Sequence, residues 1–346
     1  MRRTGTKVGA LLPRTKYRAM NLLATLTSWL APAPEPDATV RAGLARVGEL
    51  VGGGLAAEND FERRLAGPVA HAQAYCSGLV ETLPQAIDVD RQAFSADPLV
   101  HALFASADDI AATIGRSAAL REFVDEPAAW QHEHFHALLA ARRHGKQVLG
   151  VASQGSVIAT DVPQCLLYFS EHTMVLPAVD ASTAQAVQRA AAFDSLLQTF
   201  ADHVAAAREE RKQLTLEREM EKARMYGRRG RPDAECLTRR IAELDDCLRR
   251  KADALLPAQL LRALADFLMQ PEQALHLDPV DLLVDRRGAM ATDGMAAGSD
   301  AVGIRFMEAI GRDRRRHVVQ PVRLRCDEAR AAFTRARELR DRLLVL

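Results

Sequence analysis

The sequence predicts an α+β fold that is mainly α, with a helical N-terminal domain, a small antiparallel sheet and an inserted antiparallel coiled-coil hairpin. Three observations support this prediction. Helical spacing of apolar residues extends over most of the chain, and short β-prone runs occur in two separate stretches. Between these stretches, residues 184–226 contain neither glycine nor proline. We therefore expect a helical hairpin that is inserted between two parts of one sheet.

Composition sets the limits for the class of protein. The chain has 346 residues, of which 48% are hydrophobic, so it can bury a substantial core in two or three domains. Its 46 basic and 45 acidic residues give a net charge of +1. This balance excludes a histone-like protein or an acidic tail, and leaves only local basic patches as candidate contacts for nucleic acid.

The pattern of cysteines and the hydropathy of the chain predict the cellular compartment. The five cysteines are odd in number and scattered, with no CxxC pair, which favours a reducing environment over a disulfide framework. No run reaches the roughly 18 apolar residues of a membrane span. The expected location is the cytoplasm. The cysteines are Cys76, Cys165, Cys236, Cys247 and Cys326.

The N-terminal part is expected to have two sections. Residues 1–36 form a basic segment followed by a proline-rich linker at 31–36, and the apolar residues near position 26 suit an amphipathic helix. A membrane surface is not the partner we expect for it. Residues 37–145 then form a helical domain, in which the last predicted helix covers 127–144. Its first helix is indicated by Val40, Leu44, Val47 and Val51.

The β-prone runs divide into 146–182 and 274–326. Each stretch alone would give a marginal sheet of a few strands, so we expect both to pair in one antiparallel β domain. The clearest strand is 317–325, where apolar residues such as Val318 and Val322 alternate with Arg323 and Arg325. Residues 327–346 are predicted to form a C-terminal helix.

Residues 183–273 are the predicted coiled-coil hairpin insertion. The outgoing helix ends at a turn, 227–233, rich in glycine and arginine, and the returning helix has a break at Pro257. A 4-3 apolar spacing in each arm predicts the seam between them. The seam residues are Phe193, Leu197, Phe200, Val204 and Ala207 in one arm, and Leu237, Ile241, Leu244 and Leu248 in the other.

These features favour a non-enzymatic interaction or scaffold protein. The coiled coil would dock a protein partner or a second copy of the chain, and basic residues at its tip and at one β-turn could contact the phosphates of nucleic acid. No aromatic platform for base stacking accompanies them except Tyr226. The candidate partner-binding residues are Arg224, Arg228, Arg229, Arg231, Arg239 and Arg240 at the tip, and Arg312, Arg314, Arg315 and Arg316 at the turn.

The alternative function is a zinc-dependent hydrolase. Residues 132–136 match HExxH, in which two histidines one helical turn apart hold zinc and the glutamate activates water. His132 and His136 would be the ligands and Glu133 the general base. A third ligand is missing from the motif, and Glu171 or His172 could supply it only through tertiary folding. The preferred interpretation therefore has no cofactor and no catalytic residue.

Overall fold

The computed structural model describes residues 37–52, 54–154, 157–226, 234–285, 287–290, 301–311 and 315–343. For residues 128, 151–154, 157–159 and 234 it describes the backbone alone. The predicted N-terminal segment and linker, 1–36, and the predicted turn, 227–233, lie outside the described residues.

Helices precede, interrupt and follow the sheet. Side chains at the N-termini of α3 to α6 accept backbone hydrogen bonds, which satisfies donors that those helices leave unpaired. The helices of the described residues are α1 (Ala38–Leu50), α2 (Phe61–Thr82), α3 (Arg91–Ala96), α4 (Pro98–Leu103), α5 (Ala107–Arg116), α6 (Ala118–Asp125), α7 (Ala181–Tyr226), α8 (Ala234–Ala254), α9 (Pro257–Leu268) and α10 (Cys326–Leu343). Short 3-10 helices cover Leu55–Ala57, Pro127–Gln131 and Pro271–Gln273.

Within the described residues, seven strands form one sheet in the order β1-β7-β2-β3-β5-β4-β6. Because β7 also pairs with β6, the strands from β7 through β2 to β6 close into a ring. Among the strands that the structure describes, only β1 joins parallel to its neighbour, β7, and the other pairings are antiparallel. The strands are β1 (Ile87–Asp88), β2 (His134–Gln154), β3 (Val157–Ala178), β4 (Leu275–Val284), β5 (Ala289–Met290), β6 (Val302–Gly311) and β7 (Arg316–Arg325).

Alternating burial places one face of the sheet in the larger core. In β6, in β7 and in β2 from Phe135 to Ala141, buried residues alternate with more exposed ones, as expected of strands with one covered face. Helices α4, α5, α6 and α10 contribute to the same core. Its largest fully buried side chains include Phe104, Phe135, Phe306, Leu103, Leu120, Leu139 and Met174.

The prediction of a small antiparallel sheet is wrong. The sheet is mixed and has seven strands in the part of the chain that the structure describes, and β2 and β3 are 21 and 22 residues long. The two β-prone stretches do share one sheet, since β7 pairs with β2 and β5 with β3. The sheet is larger than predicted because residues 134–145, assigned to the helical domain, belong to β2. The other predicted domain boundaries stay a prediction.

The predicted helix at 127–144 is also wrong. A 3-10 helix covers Pro127–Gln131 and the chain enters β2 at His134. Alanine, leucine and arginine in this run favour a helix by intrinsic propensity. Pairing with β3 on one side and β7 on the other overrides that preference, since it buries Phe135, Ala137 and Leu139 on one face of the strand.

The long helix α7 has two parts with different environments. Its buried apolar residues end at Val204, and those from Phe193 onward pack into a second core with α1, α2 and α9. Four of the five outgoing seam residues, from Phe193 to Val204, are thus body core, which corrects their assignment to a seam between two arms. Ala207 lies beyond them and is partly buried. Beyond Val204, no residue of α7 is buried. We call residues 205–226 of α7 together with α8 the helical arm.

A buried carboxylate joins three strands. The side chain of Glu308 in β6 is 1% exposed, and its Oε1 accepts from Nε of Arg143 in β2 at 2.5 Å. Its Oε2 lies 3.5 Å from Nη1 of Arg316 in β7. Burying a carboxylate without partners would cost several kcal/mol, so the two arginines make this arrangement tolerable.

The ion cluster of Glu308, Arg143 and Arg316 predicts that substitutions of its acidic and basic members destabilise the protein to different extents. Arg143→Met should lower the free energy of unfolding by about 3–5 kcal/mol, because it leaves Glu308 buried with one distant cation. Glu308→Gln should cost only about 1–2 kcal/mol, because the two arginines retain access to water. Urea unfolding measures both values. Equal losses in the two variants would contradict this account of the cluster.

Candidate interaction surface

The helical arm leaves the body of the protein. Twenty-two residues of α7 follow Val204, which corresponds to about 33 Å of helix at 1.5 Å per residue. Of the α8 side chains that the structure describes, 235–254, Leu244 alone is buried, while Leu237, Ile241 and Leu248 are partly buried. The returning half of the predicted seam therefore lies between the two helices.

Ion pairs cross between the two helices of the arm. Glu217 pairs with Arg240 at 2.7 Å, and Arg218 with Asp245 at 3.1 Å. Lys251 Nζ also contacts Glu210. Residue numbers rise in one helix as they fall in the other, so the helices run antiparallel. Each exposed pair contributes at most about 1 kcal/mol, so these pairs orient the helices more than they stabilise them.

One side of the arm exposes apolar side chains. Leu216 is 65% exposed and Met220 is 56% exposed, and at four residues apart they share a face of α7. Arg218, which reaches α8, is two residues from each and so points about 200° away around the helix. The two apolar side chains consequently face away from α8.

The described arginines of the predicted tip are mostly neutralised. Arg224 pairs with Glu221 at 2.7 Å, and Arg240 has Glu217 and Glu243 as partners. Arg239 is exposed, and no described residue pairs with it. The candidates Arg228, Arg229 and Arg231 lie outside the described residues.

Two of the four arginines of the second predicted basic cluster lie within the described residues. Arg316 reaches the buried carboxylate of Glu308, which gives it a structural role. Arg315 is exposed. Arg312 and Arg314 lie outside the described residues. Sequence reasoning had no signal for the role of Arg316, because its partner lies on another strand.

The HExxH match lacks the geometry of a zinc site. His132 follows a 3-10 helix with extended backbone, and His136 lies in β2. Four residues of extended chain span about 13 Å, whereas one helical turn spans about 5.4 Å. Glu133 is exposed and lies 3.6 Å from Arg325. Nowhere in the described part of the chain do three His, Cys, Asp or Glu side chains gather in a metal-binding arrangement.

The proposed third ligands have other partners. A ring nitrogen of His172 lies 2.6 Å from the carbonyl oxygen of Leu103, and its ring stacks on Phe104 at 5.0 Å. Glu171 pairs with Arg142 at 3.3 Å. Both side chains therefore have structural partners, His172 at the end of α4 and Glu171 in β2.

A cavity of about 400 Å³ lies between the end of α2, strands β2 and β7, and the start of α7. The buried side chain of Gln188 lines it and hydrogen-bonds to no described residue. His136 and Arg323 also line it, but Arg323 is held by two hydrogen bonds to Asp88. The residues that line the cavity lie far apart in the sequence, so no local sequence motif predicts it.

Comparison with known proteins gives no relative. No family model, no curated protein and no solved structure matches the chain. Of the helices that the structure describes, none is long and apolar enough to cross a bilayer.

Two histidines predict a pH dependence of stability. Burial lowers the pKa of both His136 and His172 from the ordinary value of 6.5, and Arg323 contributes to the shift at His136. The folded protein therefore binds fewer protons than the unfolded chain as the pH falls below about 6.5, and acid favours unfolding. The stability contribution is full above that pH and is lost as the pH falls towards the folded values.

Urea unfolding at pH 7.5 and 5.5 tests this dependence. The wild type should lose more free energy of unfolding on acidification than His136→Asn/His172→Gln, which cannot take up these protons. His71, an exposed histidine of α2, supplies the control variant His71→Asn. An identical loss in all three proteins would refute the assignment.

Proposed function

We propose that this chain is a non-enzymatic interaction or scaffold protein whose helical arm docks a protein partner. The observation that carries the proposal is the exposure of Leu216 and Met220 on the side of the arm that faces away from α8. The arm contributes little to either core, since its residues beyond Val204 are exposed or partly buried apart from Leu244. Its length and exposed surface are thus better explained by contact with another molecule.

The partner that fits this surface is a helix with one apolar face. Two apolar side chains four residues apart match the i, i+4 anchors by which helices recognise one another. Charged residues of both signs surround them, including the pairs Lys212–Glu209 and Lys222–Glu219. Because the charges are mixed, they set the orientation of a partner helix without requiring a partner of one sign. A second copy of the chain is one source of such a helix.

Nucleic acid is the less favoured partner. Arg224 and Arg240 already face carboxylates, so a phosphate would have to compete with those ion pairs. Exposed Arg239 is the described residue that favours phosphate contact. The zinc-hydrolase alternative is not proposed, because His132 and His136 lie along extended chain.

We also propose that the protein is cytoplasmic. All five cysteines are free. Burial raises the pKa of the Cys76 thiol to about 12 and also raises that of Cys326. Buried thiols of this kind are inert core residues, and the absence of pairing among all five suits a reducing compartment.

Substitution of the two exposed apolar residues tests the docking surface. Leu216→Asp/Met220→Asp should abolish capture of the partner while leaving the melting temperature unchanged, because both side chains are exposed in the free protein. Leu339→Asp is the matched control, since Leu339 is 61% exposed on another helix. Quantitative affinity capture with the three proteins as bait is the measurement. Partners retained by the double variant would argue against this surface.

Salt dependence separates a protein partner from nucleic acid. With the arm acting on protein, a mixed-sequence DNA duplex should bind weakly, and Arg239→Ala should change nothing. A nucleic-acid partner would instead bind with an affinity that falls steeply between about 50 and 200 mM salt, because phosphate contacts release counterions. Gel-shift assays of the wild type, Arg239→Ala and a deletion of residues 225–235 distinguish the two. Steep salt dependence that is lost in the variants would replace the protein-partner proposal.

A further inference from the structure

Strands β2 and β3 extend beyond the ring as a two-stranded ribbon. Strand β2 pairs with β7 from His134 to Ala141 and with β3 as far as Gln154. Past Ala141, no described strand pairs with the outer side of β2. We call residues 147–154 the ribbon edge. Its outward backbone N–H and C=O groups have no strand partner among the described residues.

Residues 147–154 lack two of the usual protections of an edge strand, whereas residues 142–146, on the unpaired part of β2 nearer the ring, include Arg142, Arg143 and Lys146. Residues 147–154 contain no charged residue and no proline, although 26% of the chain is charged. Exposed edges in natural proteins are usually blocked by charges, proline or a covering element. Strand β3 has such features, because exposed Pro163 lies in it and β5 pairs with it at Cys165 and Leu166. The two sides of the ribbon therefore differ, and the β2 side is open.

The apolar character of the ribbon adds to this contrast. Leu149 is 71% exposed, although it lies in the middle of a strand. A two-stranded ribbon is at best marginally stable in water, and added strands stabilise it. Both facts are explained if another strand covers the ribbon edge.

We propose that the ribbon edge pairs with the ribbon edge of a second copy of this chain, so that two ribbons form one four-stranded sheet. Identical surfaces that meet across a two-fold axis must not repel each other, and an uncharged edge satisfies that condition. An uncharged edge would give no electrostatic basis for the specific binding of a different protein. This proposal is independent of the helical arm.

The nearest charged residue indicates the direction of pairing. Lys146 lies at one end of the edge, so a parallel arrangement would place it next to its own copy. In an antiparallel arrangement centred on Gly150, Lys146 lies opposite Gln154 of the second copy. The two Lys146 residues are then about 26 Å apart at 3.3 Å per residue. Gly150 at the centre allows close approach of the second backbone. We therefore infer antiparallel pairing.

Sedimentation velocity across about 1–100 µM protein tests the dimer. The wild type should change from monomer to dimer in this range, and Leu149→Lys should raise the concentration for half-dimerisation at least tenfold, because it places like charges near the axis. Leu283→Lys is the matched control, since Leu283 is 51% exposed in β4, opposite Gly303 of β6, and should leave the dimer unchanged. Leu216→Asp/Met220→Asp should also remain dimeric.

Hydrogen exchange of the wild type supplies a second measurement that needs no variant. Backbone amides within 147–154 should gain protection at high protein concentration and lose it on dilution. A wild type that stays monomeric at about 100 µM overturns the proposal. So does a Leu149→Lys variant that dimerises normally, or a dimer whose 147–154 amides exchange at the same rate at every concentration.

Discussion

The carboxylate of Glu308 is the polar interaction on which the arrangement of the sheet depends. It is buried in β6 and requires cations, and these come from Arg143 of β2 and Arg316 of β7. A shift in register of any of the three strands would separate the charges, so the ion cluster and the apolar faces impose one register. The cluster lies where β7 begins, which is also where β2 loses its outer neighbour. The base of the ribbon is therefore fixed, although most of the ribbon has no third strand.

The sequence allowed some elements to be predicted and concealed others for physical reasons. The long helix was evident because residues 184–226 contain no helix breaker, and α7 covers Ala181–Tyr226. Strand β7 was evident because apolar and charged residues alternate in it. Strand β2 was not, because its first residues are helix formers and its strand state comes from partners distant in sequence. The error at β2 made the predicted sheet too small and placed HExxH on a helix.

Candidate binding residues were less predictable than the fold, because their roles depend on partners that the sequence does not display. Arginines count as a basic patch in the sequence, but Arg240 and Arg316 have carboxylate partners on other elements. The converse holds for Leu216, whose four-residue spacing to Met220 marks an apolar helix face although its side chain is 65% exposed. Periodicity identifies the apolar face of a helix but does not say what covers it. Only the packing of the folded chain shows whether an apolar helix face is buried in a core or exposed.

The closed ring explains why the candidate contact surfaces lie on projections. Closing a sheet pairs strand edges that would otherwise be exposed, and helices pack over its apolar face. A body built in this way has few unpaired strand edges among the described residues. The helical arm and the ribbon escape this limit because each leaves the body and keeps one uncovered side. The arm exposes side chains and the ribbon exposes backbone groups, so we propose that the two surfaces bind independently of each other.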